Sequence, residues 1–541
     1  MIVQRRRNSA MQFEERIKNI IKSVHKPTWI LFFIGLMVYS PFIVNQLNCA
    51  DVNVYGYVYH SSYGYENDLG RFLIKYFDMW RNSIVCTVLI IILSVFLTCL
   101  VGEITANSFD INNEITRFLI GAVILFSPSV ANLFSYGYTV DSYSFAFLLS
   151  SAAGCIMIKG NEKKDYAFAI VLMAMSAAIY QAYIGYSAIL ITVYLLKELL
   201  CNDSFDKEKK GFKQIALPVI RTIKGYAAIL VSMIVYLVVF NILDAVGYLS
   251  KDQGRGLDNA LGNFVSGFFS TMVKVYRYFF EYYFSTKVIN NAWFGRRYLN
   301  IVVFLLLLTC LAYLIIKNKV YKNALRLLIS AVAVLIIPAI LGFVFLIAPE
   351  NTIYQETGLL MVPYIGFVYV LLLVFAEATE RPLTQYSGML LAILLTLIMT
   401  VFIQCFAKLI ELEQVQFTQL ANRIVYRIEE LDDFECGEEI LVVGRPHNGN
   451  YPIPDRLLED ITKGMISHYT QIFGAEDQIS KGWPAAIKYY LGVDFSECPP
   501  EKRSALINSE AVRNMGIYPA ADSVQKIDDT IVIKLSEWDP Q

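Results

Sequence analysis

The first candidate chemistry lies in the stretch NCADVNVYGYVYHSSYGYENDLGR, which covers residues 48–71 and follows a long apolar segment. It holds the carboxylates of Asp51, Glu66 and Asp68 together with Arg71, and several tyrosines lie between Asp51 and Glu66. A carboxylate at a membrane boundary loses hydration, so it needs a partner or a chemical task. Two carboxylates beside one cavity can divide proton abstraction and substrate orientation between them.

Two further stretches carry charge beside aromatic residues. SYGYTVDSYSF places Asp141 in a very short segment between two apolar runs. WFGRR ends in Arg296 and Arg297, and the Gly-rich KDQGRGLDNALGNF upstream supplies Lys251 and Arg255. Tyrosine and tryptophan side chains offer flat amphipathic surfaces that suit sugar rings and lipid headgroups. The simpler interpretation is that the arginines anchor to lipid phosphate.

Signatures of soluble enzymes are missing from the sequence. We find no Walker loop, no H-E-x-x-H pair, no G-x-S-x-G elbow and no Cys/His zinc spacing. With only 4 histidines in the chain, a histidine-based metal site is not indicated. Any catalytic site must therefore use carboxylates, basic side chains and aromatics.

The composition predicts that these residues are positioned by membrane helices. Hydrophobic residues make up 56% of the chain and charged residues 17%, and the mean hydropathy is +0.47. Apolar segments of about 20 residues, long enough to cross a bilayer as helices, recur along the chain. We predict eleven spans, at residues 27–47, 83–102, 117–135, 142–158, 166–182, 184–200, 225–246, 299–316, 325–346, 362–378 and 385–405.

Lysine and arginine in the short loops predict the orientation of these spans. The N-terminal segment 1–26 is basic, and so are most of the even-numbered loops, which places the N-terminus in the cytoplasm. The odd-numbered loops then face outwards, namely 48–82, 136–141, 247–298 and 347–361. Within the third of these, FVSGFFSTMVKVYRYFFEYYF predicts an interfacial or re-entrant helix rather than a span.

The C-terminal region, residues 406–541, is more polar. AKLIELEQVQFTQLANRIVYRIEEL spaces its apolar residues as an amphipathic helix, and EEILVVGRP and TIVIKLS predict strands. We therefore predict an all-α polytopic membrane domain over residues 27–405, followed by a small α/β domain outside the cytoplasm. Cys436 and Cys498 lie in that domain, where a disulfide is one possibility.

Four motifs resemble the bacterial serotype-converting glucosyltransferases, which modify O-antigen and related surface polysaccharides. They are the acidic, aromatic loop leading into LGRFL, Asp141 in YTVDSYSFAF, the Tyr-Gln-Ala turn of AAIYQAYIGYS, and the closing INSEAVRNMGIYPAADSVQKIDDTIVIKLS. The resemblance covers nearly the whole chain. It departs from the family pattern where Val52 follows Asp51 in place of a second acid, which leaves either Asp51 or the Glu66/Asp68 pair as the essential acid.

The resemblance implies a GT-C-like architecture in the bacterial inner membrane, with a site at the outer face. It also implies a polyprenyl-phosphate glucose donor, a polysaccharide acceptor, inverting transfer, and a flippase and a donor synthase in the same pathway. Nucleotide sugars do not cross membranes, so an outer site needs a sugar already carried across on a lipid.

Within that scheme, roles can be assigned to the candidate residues. Asp51 is the first candidate for the base, and Asp141 would position the acceptor or the base. The leaving phosphate needs positive charge, which a planar guanidinium supplies well. Arg71, Arg296 and Arg297 are the first candidates for it, with Arg255 and Lys251 behind them. With enough arginine a monophosphate leaving group needs no divalent ion, so we expect no obligatory metal or cofactor.

Two other functions remain open from the sequence. A flippase or transporter for lipid-linked glycans would need ionisable residues along a path within the membrane, and the predicted spans contain few. A polysaccharide polymerase would share the same outer site of acids and arginines, so the sequence does not separate it from a transferase.

Overall fold

The computed structural model describes residues 24–49, 52, 58–61, 65–201, 211–249, 260–348, 352–354, 358–431, 434–444, 456–462, 465 and 476–537. The first part of this chain is a helical body with an apolar surface. Its helices, in chain order, are α1 (Lys26–Val38), α2 (Ser40–Val44), α3 (Tyr65–Asp68), α4 (Lys75–Trp80), α5 (Thr87–Ser108), α6 (Glu114–Leu125), α7 (Pro128–Phe134), α8 (Val140–Lys159), α9 (Lys163–Ile179), α10 (Ile184–Cys201), α11 (Gly211–Ala245), α12 (Ala260–Phe284), α13 (Arg296–Lys317), α14 (Ala324–Leu341), α15 (Val344–Ile347), α16 (Val368–Ala378) and α17 (Pro382–Glu429).

These helices indicate a membrane protein. Among the described residues, 7 helices are long and apolar enough to cross a bilayer, and the bent pair α6 and α7 makes up to 8. That pair turns by 57° at Ser127–Pro128, where the proline begins the second helix. Lys26–Val38 and Ile365–Ala378 are shorter apolar helices at two other predicted spans. The predicted number of eleven spans is therefore not confirmed.

The aromatic segment of the 247–298 loop forms helix α12, which is not among the candidate spans. One face is buried through Val275, Tyr278, Phe279, Tyr282 and Tyr283 and packs against α14 and α15. Its spacing of buried residues follows the helical repeat.

The loops gather at two ends of the helical body. At one end, the segment before α4 meets the turn between α9 and α10, where the Leu73 amide donates to the Ala178 carbonyl at 3.1 Å. At the opposite end, Lys159 pairs with Asp110, and Asn318 Nδ2 donates to the Leu200 carbonyl at 2.6 Å.

The opposite end also holds a buried ion-pair network centred on Glu103, which we call the Glu103 network. Its carboxylate contacts His25 Nδ1 and Arg117 Nη2, both at 2.5 Å, and accepts from Thr28 Oγ1 at 2.7 Å. Arg117 also donates to Asn107 Oδ1 and to the Ile111 carbonyl. These contacts tie the beginnings of α1 and α6 to the last turn of α5.

The C-terminal region contains a four-stranded sheet with the order β2-β1-β4-β3. Its further elements, in chain order, are β1 (Glu439–Val443), α18 (Arg456–Ile461), α19 (Glu476–Leu491), β2 (Ser496–Glu497), α20 (Pro500–Ile507), α21 (Glu510–Asn514), β3 (Val524–Ile527) and β4 (Thr530–Lys534). Strand β1 is parallel to β2 and β4, and β3 pairs antiparallel with β4. Asp528 and Asp529 join β3 to β4 with φ angles of 47° and 57°, as a tight hairpin turn requires.

Both faces of the sheet are covered. Alternate residues of β1 point to opposite faces, so Ile440 packs with the end of α17 and Trp483 of α19, whereas Leu441 packs with α20 and α21. Helix α17 belongs to both cores of the protein, because Ile410 lies in the core of the helical body and Phe417 in that of the sheet. Cys436 and Cys498 are free thiols.

Candidate functional site

Asp141 lies in the first turn of α8 and is fully buried, with 0% of its surface exposed. Its Oδ2 atom is 3.6 Å from Nε of Arg81, and its Oδ1 accepts from the Ser142 amide. Arg81 also contacts Asp78 Oδ1 at 3.0 Å and donates to the Tyr138 carbonyl at 2.9 Å. One guanidinium therefore holds two buried carboxylates, which offsets part of the cost of removing them from water.

Glu66 lies in the short helix α3, beside these groups, and is 6% exposed. Its Oε1 atom is 3.9 Å from Nε2 of His60, whose ring packs 4.8 Å from that of Tyr138. Burial raises the pKa of Glu66, and the nearby charges of His60 and Arg71 oppose this effect. A carboxylate with a raised pKa is a stronger base than an ordinary one, which suits proton abstraction.

Arg71 completes the group and is fixed by aromatic residues. Its Nη1 donates to the Tyr143 hydroxyl at 3.2 Å, and its Cζ lies 4.8 Å from the ring centre of Tyr180. The flat guanidinium is thus oriented by a hydrogen bond and a cation–π contact. We call Glu66, Asp78, Asp141, Arg71, Arg81 and His60 together the acid cluster. It contains three carboxylates and two guanidiniums.

The sequence around Gly70 explains how Arg71 is placed. Gly70 has a φ of +80°, and a Cβ there would lie 2.2 Å from the Tyr236 hydroxyl. Tyr236 donates to the Gly70 carbonyl at 3.2 Å, and Gln181 Nε2 donates to the Leu69 carbonyl at 3.1 Å. Gln181 also donates to the Tyr236 hydroxyl at 2.8 Å. Only glycine adopts this turn without strain while admitting the tyrosine.

The structure thereby joins three motifs that lie far apart in sequence. LGRFL contacts the Tyr-Gln-Ala turn directly, and Arg71 reaches Tyr143 in the motif that carries Asp141. Of the predicted acids, Glu66 and Asp141 belong to this group. Asp68 is half-buried at the end of α3.

Arg296 and Arg297 follow a different arrangement at the beginning of α13. Arg296 is 1% exposed, and its Cζ lies 5.2 Å from the ring centre of Tyr282, whereas Arg297 is exposed. Among the described residues no carboxylate pairs with Arg296, and none of its nitrogens makes a well-aligned hydrogen bond, although the Tyr282 and Tyr369 side chains lie beside it. Because a buried charge is costly unless it is paired, an anionic ligand bound here would stabilise the Arg296 guanidinium.

Residues 364 and 365 link the surroundings of Arg296 to those of the acid cluster. The Tyr364 hydroxyl donates to the Ala182 carbonyl at 2.8 Å, in the Tyr-Gln-Ala turn. On the other side, Tyr283 donates to the Ile365 carbonyl. The surroundings of the two arginines are thus connected indirectly, through the Tyr364 and Tyr283 hydrogen bonds.

The C-terminal region reaches the loop that precedes Arg296. Asp460 accepts hydrogen bonds from Asn290 Nδ2 at 2.8 Å and from Trp293 Nε1 at 3.1 Å. Ile461 and Met465 pack into the core of the helical body. Helix α18 therefore covers part of this end of the molecule.

Three predicted site residues, Asp51, Lys251 and Arg255, lie outside the described residues. Sequence reasoning missed Asp78, Arg81 and His60. A signal for the first two exists in KYFDMWRNS, because an Asp and an Arg three residues apart on a helix can pair. His60 stands in the opening stretch without any spacing that marks it.

The described residues contain no group of three or more His, Cys, Asp or Glu side chains arranged to hold a metal ion. In the acid cluster Asp78 and Asp141 face the guanidinium of Arg81, and Glu66 faces the imidazole of His60.

Comparison with known proteins gives one finding. A family model described as Glucosyl transferase GtrII matches residues 59–375, more than half of the chain. No curated protein and no solved structure matches the chain. The whole acid cluster and Arg296 fall inside the matched range, and the sheet of the C-terminal region falls outside it.

Proposed function

Because the chain belongs to the GtrII glucosyl transferase family, we propose that it transfers glucose from a polyprenyl-phosphate donor to a surface polysaccharide with inversion at the sugar carbon. The observation that carries this proposal is the convergence of three separate motifs on the acid cluster. Carboxylates, guanidiniums and tyrosines at one end of a membrane-type helical body are the groups that such a reaction needs.

Glu66 is the described carboxylate best placed to act as base. Asp141 and Asp78 are both held by Arg81, whereas Glu66 faces the imidazole of His60 and no arginine at ion-pair distance among the described residues. In the proposed step, Glu66 takes the proton of an acceptor hydroxyl as its oxygen attacks C1 of glucose. The bond from C1 to the phosphate oxygen breaks, and polyprenyl phosphate leaves with the electron pair.

Asp141 has a positioning role in this scheme. Its complete burial and its ion pair with Arg81 keep it away from a substrate hydroxyl. Through Arg81 it fixes the segment that follows α4 against α8. Asp51, the first candidate from the sequence, is the alternative base, and the variants below separate it from Glu66.

Arg71 is the proposed contact for the leaving phosphate. Its fork is oriented by Tyr143 and Tyr180, and charge that is already in place costs no reorganisation during the reaction. Arg296 supplies the second positive charge, which is supported by its burial without a carboxylate partner among the described residues. Arg297, exposed on the next position of α13, is the weaker of the two neighbours.

The function is tested with purified full-length protein in lipid nanodiscs. The donor is polyprenyl-phosphate glucose with a radioactive sugar, and the acceptor is O-antigen from cells that lack this protein. We expect labelled glucose on the polysaccharide and an equal amount of released polyprenyl phosphate, and the product's anomeric NMR signals report inversion. Passage of intact lipid-linked sugar across vesicles without bond cleavage would establish a flippase instead, and lengthening of the glycan a polymerase.

The orientation at the outer face of the cell membrane has a separate test. Met79 on α4 is exposed near the acid cluster, and Lys163 is exposed at the opposite end. A cysteine at position 79 should react with a membrane-impermeant thiol reagent added to intact spheroplasts, whereas a cysteine at position 163 should react only after lysis. The reverse pattern would place the site in the cytoplasm.

A further inference from the structure

A second polar surface lies on the C-terminal part of α17, beyond the residues that the family model matches. Apolar residues Phe417, Leu420, Ala421, Ile424 and Ile428 of this helix are buried in the core of the C-terminal region. The opposite face carries exposed residues at the same helical repeat, and they are Gln419, Asn422, Arg423, Tyr426 and Glu430. Together with Tyr518 and Arg427 they line an open groove of about 780 Å³.

The groove has a fixed wall. Arg427 donates to the carbonyls of Pro519 and Ala520 and to Ser523 Oγ, at 2.8 to 3.2 Å, and its Cζ lies 4.7 Å from the ring centre of Tyr518. Through these contacts Arg427 holds the segment around Tyr518 against α17. Gln419, Asn422 and Tyr426 are exposed beside this wall.

The exposed groups have the chemistry of carbohydrate recognition. Tyr426 is 63% exposed, although a ring of this size gains by being covered, and the Glu430 carboxylate lies near its hydroxyl. Amide, guanidinium and carboxylate side chains around a flat ring can pair with the hydroxyls of a pyranose while the ring covers its apolar face. The volume lies within the range of about 300–1,000 Å³ that is usual for ligand sites.

Other ligand classes fit this surface less well. A nucleic acid would require a strongly basic face, and here Glu430 stands among the two arginines. A lipid chain would require a continuous apolar lining, and each described side chain that lines the groove carries a polar or charged group. An open groove lets a chain molecule continue past both ends, which a closed pocket does not.

We propose that this groove binds the polysaccharide acceptor at a second point, away from the acid cluster. The inference rests on the proposed function, because it requires a glycan acceptor. Gln419 lies nine residues beyond Ile410, the last residue of α17 in the core of the helical body, which at 1.5 Å per residue is about 14 Å along the helix axis. The groove thus lies beyond the core of the helical body, and we assign to it a sugar unit other than the one that receives glucose.

The test uses the full-length protein in nanodiscs and O-antigen from cells that lack it, fractionated by chain length. In the native protein we expect the acceptor KM to fall as the polysaccharide lengthens. Tyr426→Ala should raise the KM for long chains about tenfold, with kcat at saturation and the donor KM unchanged. The KM for a single repeat unit should stay the same, because one repeat does not reach both sites.

Two matched variants make the result specific. Tyr489 is a 41% exposed tyrosine of α19 outside the groove, and Tyr489→Ala should leave the dependence on chain length intact. Asn422→Ala removes a groove amide with less disturbance to packing and should give a smaller rise in KM for long chains. If Tyr426→Ala impairs folding, this second variant carries the test.

Direct binding separates a failure of the groove from a failure of the proposed function. Long O-antigen should bind the native protein without donor, and Tyr426→Ala should weaken that binding about tenfold. Unchanged binding and an unchanged KM in both groove variants would overturn the proposal while the transferase function stands. If the native protein transfers no glucose, the proposed transferase function is wrong. If that protein also binds no polysaccharide, the proposed acceptor site in the groove is wrong as well.

Discussion

The two ends of the helical body bury charge in different ways. In the Glu103 network both oxygens of the carboxylate are matched, and Arg117 supplies the compensating charge beside His25 and Thr28. The acid cluster holds three carboxylates and two guanidiniums, and Arg81 alone pairs with both Asp78 and Asp141. Asp141 Oδ2 lies 3.6 Å from Nε of Arg81, beyond hydrogen-bond length.

From this difference we infer a structural role for the Glu103 network and a chemical role for the acid cluster. A matched buried pair fixes the helices that carry it, because breaking it leaves a charge in a poorly hydrated place. An unbalanced cluster is costly for the fold, and such perturbed groups concentrate at functional sites. The comparison predicts that changes in the acid cluster reduce turnover, whereas changes in the Glu103 network reduce stability.

The largest expected effect is on turnover in Glu66→Gln. Loss of a general base typically costs about 10²- to 10⁴-fold in rate, so kcat for glucose transfer should fall by that order while the folded protein persists. The measurement is initial transfer rate with thermal stability recorded in parallel. Asp68→Asn, two residues away and half-buried, is the matched control and should retain most of its activity. Full activity in Glu66→Gln would transfer the role to Asp51.

The opposite pattern is expected for Arg117→Met. Removing one partner of a buried ion pair costs about 3–5 kcal/mol, so the unfolding midpoint should drop sharply. Molecules that remain folded should transfer glucose at the normal rate. Lys164→Met breaks an exposed pair with Glu162 and should change the midpoint little. A large loss of kcat with normal stability in Arg117→Met would break the comparison.

A smaller effect is expected for Arg71→Lys. The lysine keeps the positive charge but loses the planar fork that Tyr143 and Tyr180 orient, so the donor KM should rise about tenfold. Steady-state kinetics with varied donor measures this. Arg297→Lys alters an exposed arginine and should leave the donor KM close to normal. Equal effects of the two changes would argue against Arg71 as the phosphate contact.

The smallest effect is a shift in pH dependence. Burial raises the pKa of Glu66 above its ordinary value of 4.5. Because the base must be deprotonated, kcat/KM should fall as the solution is acidified, and this fall should begin at a higher pH than an ordinary glutamate would give. The charge of Arg71 lowers this pKa, so Arg71→Met should move the acid limb to still higher pH. Arg71→Lys keeps a charge and should leave the limb near its native position. A limb that moves to lower pH in Arg71→Met would exclude Glu66 as the titrating group.

The helical body follows from long apolar runs, which is why each predicted span overlaps a described helix. Among the described residues, however, only 7 helices, or up to 8 with the bent pair, are long and apolar enough to cross a bilayer. The break between α6 and α7 was not predicted, since residues 117–135 read as one apolar run, although Pro128 marks the position. The number of spans cannot be read from hydropathy alone, because helices such as α16, at 11 residues, are short of a full crossing.

Several residues of the candidate site could be predicted individually from the sequence, but their spatial grouping could not. Glu66, Asp141 and Arg71 stand out by charge beside aromatics, yet their meeting depends on contacts between residues far apart in sequence. Arg296 and Arg297 look alike in the sequence, and only their positions on α13, about 100° apart around the axis, bury one and expose the other.

Helix α17 runs for 48 residues without interruption and enters both cores of the protein. At 1.5 Å per residue it is about 72 Å long, and it connects the helical body to the sheet without a break. The helix therefore fixes how far the groove stands from the core of the helical body. Adding or deleting one turn between Ile410 and Gln419 would change that distance, and with it the unit of the glycan that comes within reach of the groove.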